Sequence, residues 1–156
     1  MRFISKLFAP IVFFIAYRLF RSSIKQGSLQ KHTFVMKLFR FCADNGYARA
    51  LSVYGHLLHF KGDGVQNRIQ GGIYLQQAAE KGDAKAQYQM GRIFESGYEH
   101  YFQPDLEKAL SFYLQAAEQG HQLAVKRVVD VFQQGELGQQ VNVEKAEYWG
   151  LKQPQM

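Results

Sequence analysis

The chain has 156 residues, a formal net charge of +6, and an aromatic content of thirteen Phe, nine Tyr and one Trp. This length allows one domain with a modest core, and the single cysteine, Cys42, excludes the small secreted proteins that intramolecular disulfides hold together. Eight basic residues and no Asp or Glu lie in the first forty positions, whereas the rest of the chain has eleven basic and thirteen acidic residues. Because that body lacks a clustered basic surface, nucleic acid is not an expected partner.

The chain begins with a basic head, an apolar run over residues 7–17, and then Arg18 and Arg21. A cleaved signal peptide should end in small residues, and the sequence Tyr-Arg-Leu-Phe-Arg that follows the run does not. A spanning helix needs about 20 mostly apolar residues, and the run supplies eleven. Two other structures fit the same pattern, namely a helix lying in the membrane interface and an apolar cap on the rest of the protein.

We predict that residues 1–24 form a hydrophobic membrane anchor or uncleaved signal that binds membrane lipid. The residues expected to contact the membrane are Leu7, Phe8, Ile11, Phe13, Phe14, Ile15, Arg18 and Arg21. The expected location is a bacterial inner membrane, and the excess of basic residues after the apolar run favours a body that faces the cytoplasm over one that faces the periplasm. The alternative is a soluble or secreted regulator or effector from which a signal peptide has been removed.

Helical spacing of apolar residues predicts one helix over residues 28–45 and three helix pairs after it. The first helices of the pairs are expected at residues 48–60, 84–96 and 122–133, and their partners at 68–81, 105–119 and 143–152. The helix over 28–45 is the second member of a pair that lacks its first, so the N-terminal segment or the membrane must cover it. Gly71 and Gly72 predict a late start for the helix that contains them, because glycine costs up to about 1 kcal/mol relative to alanine.

One short motif occurs three times along the chain. It reads Cys-Ala-Asp-Asn-Gly at residues 42–46, Ala-Ala-Glu-Lys-Gly at 78–82 and Ala-Ala-Glu-Gln-Gly at 116–120, and an alanine follows each glycine by four residues. The glycines are 36 and 38 residues apart, inside the range of roughly 34 to 47 residues found in helical repeat proteins. The sequence therefore predicts a stack of helical repeats.

The middle copy carries the most complete pattern. It reads Ala86-x-x-x-x-Gly91-x-x-Phe94-x-x-Gly97, then Lys108-Ala109-x-x-x-Tyr113-x-x-Ala116-Ala117-Glu118-x-Gly120. This pattern resembles the Sel-1-like repeat, a relative of the tetratricopeptide repeat, in the bacterial type with an N-terminal hydrophobic segment. The resemblance extends over about residues 34–152.

The resemblance implies an all-α, right-handed α/α solenoid of about three helix pairs preceded by a single helix. The solenoid is expected over residues 28–152, followed by a disordered tail at 153–156. Packing agrees with this expectation, since Gly55 and Gly91 would let the facing helices approach closely. The family further implies a non-enzymatic adaptor or scaffold whose partners are proteins.

No catalytic pattern competes with that interpretation. Gly62-Asp63-Gly64 lacks the lysine and hydroxyl residue of a phosphate-binding loop, and no Ser or Cys has the context of a known nucleophile. His56 and His59 share a helix face, but no Cys or carboxylate stands nearby at ligand spacing. We therefore predict no catalytic residue, no metal, no cofactor and no small-molecule substrate.

A protein or peptide is the expected partner, bound in the concave groove that the first helices line in proteins similar to tetratricopeptide repeats. The groove residues are those left over when the core positions of these helices are filled. By register they are Arg49, Ser52, His56, His59, Lys85, Tyr88, Arg92, Glu95, Lys126 and Asp130. Tyrosine and arginine are common hot-spot residues, although ordinary solvated helix faces would carry the same side chains.

Overall fold

A computed structural model describes residues 2–26 and 29–153, so residues 154–156 of the predicted tail lie outside the described residues. Within those ranges the chain forms eight helices and no strand, which confirms the all-α prediction. The helices are α1 (Arg2–Gln26), α2 (Leu29–Asp44), α3 (Ala48–Lys61), α4 (Gly64–Glu80), α5 (Ala84–Ser96), α6 (Leu106–Glu118), α7 (Gln122–Gln134) and α8 (Val143–Gly150).

These helices belong to two compact units, residues 1–77 and 78–156. The first unit contains α1, α2, α3 and most of α4, and the second contains the last turn of α4 and α5 to α8. The predicted helix starts at residues 48, 84 and 122 are confirmed. Local capping accounts for two neighbouring starts, because the carboxylate of Asp83 accepts a hydrogen bond from Ala86 N at 2.8 Å and Asp105 accepts one from Lys108 N at 2.9 Å.

The prediction of a late start for α4 was wrong, since α4 begins at Gly64 and runs unbroken through Gly71. Close approach of α3 and α4 explains the glycines. A Cβ added to Gly71 would lie 2.3 Å from His59 N, and one added to Gly55 would lie 2.9 Å from Gly71 O. These positions therefore lack side chains because the two backbones touch, and the packing offsets the low helix propensity of glycine.

The helix α2 has a partner, which is α1. The side chains of Ala9, Phe13 and Ala16 on α1 are buried. The thiol of Cys42 donates to the carbonyl oxygen of Ala9 at 3.3 Å, and the ring centroids of Phe13 and Phe39 are 5.5 Å apart. The N-terminal segment thus provides the cover that α2 needs, and it completes a fourth helix pair.

In the second unit, α5 packs on α6 through Gly91. A Cβ at this position would lie 2.6 Å from the ring of Tyr113, whose side chain is almost wholly buried. The predicted role of Gly91 in close helix approach is confirmed. The ring of Tyr113 is thereby held beneath the exposed face of α5, where its hydroxyl contributes to the site described next.

Candidate partner-binding and membrane-binding surfaces

Three of the predicted groove residues meet at one pocket in the second unit. Tyr88, Arg92 and Glu95 follow one another at helical spacing on α5, so they share a face of that helix. The pocket they line has a volume of about 290 Å³ and is completed by Ser96, Tyr113 and Arg127. We call three residues of this helix, the half-buried Tyr88 and the exposed Lys85 and Arg92, the α5 surface.

Glu95 lines the pocket and is hydrogen-bonded to two neighbouring side chains. Its carboxylate accepts a hydrogen bond from the Tyr113 hydroxyl at 2.7 Å and one from Arg127 Nη2 at 2.6 Å. Burial would raise the pKa of Glu95, but the hydrogen bonds from Arg127 and Tyr113 hold it below its ordinary value. Glu95 is therefore an ionised structural group rather than a free contact for a partner.

Arg127 links α7 to Glu95, and sequence reasoning missed it. Its guanidinium binds Glu95 and also Glu136, and hydrogen bonding to Glu95 raises its pKa. By repeat register Arg127 stands where Gln89 stands in the middle copy. Comparison of the repeat copies could have identified Arg127 as a candidate site residue, because it places a positive charge where another copy has a neutral side chain.

The α5 surface carries an exposed arginine, Arg92, whose positive charge also helps to lower the pKa of Glu95. Arg92 is exposed and makes no salt bridge with any described residue, and Lys85 is also exposed. Tyr88 is half-buried, with its ring stacked at 4.8 Å on His121 and 5.8 Å from Tyr113. Two cations beside a supported aromatic ring form a surface suited to an acidic protein partner.

His121 supports Tyr88 as a neutral ring. Its Nδ1 accepts a hydrogen bond from Ala124 N at 3.3 Å and thereby caps the start of α7. Burial lowers the pKa of His121, and the positive charge of Lys85 lowers it further. Because a protonated imidazole could not accept this bond, the lowered pKa is consistent with the capping role.

The predicted residues on α3 have different environments. Ser52 and His59 are buried, and His59 Nδ1 lies 3.0 Å from the carbonyl oxygen of Arg68. His56 is exposed, with its ring 4.6 Å from that of Phe60. Arg49 lies over the Phe13 ring at 5.8 Å.

Of the two predicted groove residues on α7, Lys126 is exposed and Asp130 is half-buried. Neither residue is among those that line the pocket beside Tyr88. In the described part of the chain, no group of three or more His, Cys, Asp or Glu side chains is placed to hold a metal ion.

The second candidate surface is the outward face of α1. Apolar side chains with half or more of their area exposed crowd this face: Phe3, Ile4, Leu7, Phe8, Ile11, Phe14 and Ile15. Arg18 and Arg21 are also exposed, whereas Phe13 is buried against α2 and does not belong to this face. By length and composition, Phe3–Ser22 is apolar enough to cross a membrane, and 17% of its most apolar window is buried.

Comparison with known proteins adds a family and a fold. Residues 48–83, 84–121 and 123–152 match the Sel1 repeat. A Sel1 repeat protein from Oxalobacter formigenes superposes with a TM-score of 0.74 at 25% identity, over 91% of this chain and 56% of that one. A protective antigen of uropathogenic Escherichia coli strains, which displays the SLR fold, superposes with a TM-score of 0.74 at 24% identity, over 92% of this chain and 30% of that one.

This chain therefore spans about half or less of the length of these two structures. No curated protein matches it. The structural likeness agrees with the all-α solenoid predicted from the repeat spacing. The match to three consecutive repeats covers most of the residues after α2.

Proposed function

Because the chain belongs to the Sel1 repeat family, we propose that it is a non-enzymatic scaffold that binds an acidic protein partner and is tethered to a membrane through α1. The Sel1 repeat fold implies a protein-interaction scaffold, and the α5 surface is the observation that supports a specific binding site. Arg92 offers an exposed cation that forms no salt bridge within the described part of the chain, beside a tyrosine that stacks on His121. A carboxylate of the partner would pair with Arg92 while an apolar side chain packs on Tyr88.

The state of Glu95 supports a binding role over catalysis. A general base needs a pKa near the working pH and free access to a substrate proton. The carboxylate of Glu95 has a lowered pKa and already accepts hydrogen bonds from two side chains. Arg127 is likewise engaged by two carboxylates, so both groups stabilise the pocket in preference to acting on a substrate.

The partner site is tested by changing the two residues that present it. Tyr88→Ala combined with Arg92→Glu should lower recovery of the partner at least tenfold in a pull-down from detergent-solubilised native membranes, because contact area and charge attraction are both lost. The control is Tyr148→Ala with Lys81→Glu, which removes a tyrosine ring and reverses a positive charge at exposed positions that do not line the pocket.

Circular dichroism should show equal helix content and thermal stability for both double variants. Proteins enriched by the wild type and the control, and lost from the Tyr88/Arg92 variant, identify the partner. Equal recovery by the two double variants would show that the α5 surface is not the binding site.

The membrane tether is tested on the outward face of α1 rather than by deletion, because removal of α1 would uncover Phe39 and Cys42. Ile11→Asp with Phe14→Asp should abolish flotation with phosphatidylglycerol-containing vesicles, since both side chains are more than half exposed and carboxylates are costly in lipid. Tyr148→Asp is the exposed control. Flotation of the double variant at the wild-type level would contradict the tether, and a mature N-terminus beyond residue 23 in cells would favour the secreted alternative.

A further inference from the structure

We infer that α1 binds the surface of an anionic bilayer while it stays packed on α2, so that it lies in the plane of the membrane rather than crossing it. This inference rests on the membrane tether proposed above and specifies how the tether is made. Three observations carry it: the length of the apolar face, the contacts of the opposite face, and the charge of the surrounding segment.

The outward apolar face is short. Its exposed apolar side chains extend from Phe3 to Leu19, which corresponds to about 24 Å along a helix that rises 1.5 Å per residue. Arg18 lies on the same face, one helical turn beyond Phe14, and interrupts the apolar surface before Leu19. The segment Phe3–Ser22 has the length and composition of a spanning helix, but its exposed apolar face is shorter than the hydrocarbon core of a bilayer, which is about 30 Å thick.

The inward face of α1 is occupied along its length. Ser5 Oγ donates to Asn45 Oδ1 at 2.8 Å, Ala9 accepts from the Cys42 thiol, and Phe13 packs on Phe39. The partner positions fall along α2 as those on α1 rise, so the helices form an antiparallel hairpin. Crossing the membrane would require α1 either to leave this hairpin or to take α2 into lipid with it.

Neither of those routes is favourable. Departure of α1 would expose the buried side chains of Phe39 and Cys42, which α1 contacts, to water. Insertion of the whole hairpin would place the exposed Lys37 and the exposed Arg40–Asp44 ion pair of α2 in hydrocarbon. Binding through the outward face alone avoids both consequences.

Charge indicates the kind of surface that is bound. The first forty residues contain eight Lys or Arg and no Asp or Glu. Arg18 and Arg21 are exposed at the end of the apolar face, where they would lie among headgroups. Basic residues next to an apolar helix face are attracted to anionic lipids.

The chain contains its own reporter for this arrangement. Cys42 is the single cysteine, is fully buried, and contacts the backbone of α1. Burial raises its pKa to about 11, so a docked α1 keeps the thiol both covered and protonated. A second cysteine at Ala9→Cys would stand beside it and allow α1 to be locked to α2 by oxidation.

The experiment uses full-length protein and vesicles with or without phosphatidylglycerol. Oxidised Ala9→Cys protein should bind the anionic vesicles with an affinity within twofold of the reduced form, and neutral vesicles at least tenfold more weakly. In the wild type, maleimide labelling of Cys42 should be at least tenfold slower than labelling of Cys42→Ala/Glu118→Cys, whose new thiol is exposed. Vesicles should leave the Cys42 rate unchanged.

Loss of vesicle binding on oxidation, or faster labelling of Cys42 on membranes, would overturn the inference and show that α1 undocks. Equal binding to neutral and anionic vesicles would overturn the choice of an anionic surface. Failure of the wild type to bind any vesicle would instead remove the tether itself, and with it this inference. Binding only to vesicles that carry membrane proteins would assign the outward face to a protein partner.

Discussion

Replacing Gly71 by alanine should lower the free energy of unfolding by about 3 kcal/mol, an overpacking penalty at the upper end of the usual range. The new Cβ would lie 2.3 Å from His59 N and 2.8 Å from His59 Cα. Both are backbone atoms, which cannot rotate away, so α3 and α4 must separate. Separation would loosen the contact between the buried rings of Tyr54 and Tyr74. Urea unfolding followed by circular dichroism measures the change.

The sign of the stability change in Gly71→Ala shows whether close packing or helix propensity dominates at this position. Propensity alone favours alanine over glycine by up to about 1 kcal/mol in a helix interior. Gly150→Ala is the matched control, because a Cβ at that position would meet nothing within 4 Å, and we expect it to leave stability unchanged or slightly increased. If Gly71→Ala raised stability as the control does, the close approach of α3 and α4 would be contradicted.

Replacing Arg127 by alanine should cost about 2 kcal/mol of stability, because the half-buried carboxylate of Glu95 would keep, among the described residues, one hydrogen-bond donor, the Tyr113 hydroxyl. Arg127→Lys should recover part of the loss, since one ammonium cannot reproduce the separate guanidinium contacts with Glu95 and Glu136. Urea unfolding of the single variants and of the Glu95→Gln/Arg127→Ala pair gives the coupling energy. Additive single effects would show that the ion pair contributes nothing.

The effect of Arg127→Ala on stability should depend on pH. The pKa of Glu95 is lower in the folded protein than its ordinary value of 4.5, so its ionised form stabilises the fold above that pH. The contribution is lost as the pH falls through the lower folded value. The stability difference between wild type and Arg127→Ala should therefore shrink in acid, and a difference that is constant down to pH 2 would contradict this assignment.

Part of the site could be predicted because helical repeats impose a register. The spacing that places Gly91 and Phe94 toward the core leaves Tyr88, Arg92 and Glu95 on one face of α5, and the structure brings these three to a single pocket. The partners of Glu95 were not predictable in this way. Arg127 is 32 residues distant from it along the chain, and no local pattern connects the two.

For the N-terminal segment, too, one property could be predicted from the sequence and another could not. Its apolar character can be counted from the sequence, but adjacent phenylalanines have opposite environments, since Phe13 is buried and Phe14 is more than half exposed. Only the packing of α1 on α2 separates the face that covers Phe39 from the face available to lipid.

The sequence by itself determined the repeat register, the starts of α3, α5 and α7, the all-α class and the family, because these depend on local spacing of small and apolar residues along the chain. The tertiary structure alone decided that α4 runs through its glycines, that α1 pairs with α2, and which polar side chains remain exposed. Those properties depend on burial and ion pairing between residues that are far apart in sequence. Of the predicted groove residues, Ser52 and His59 are buried, whereas Arg92 is exposed.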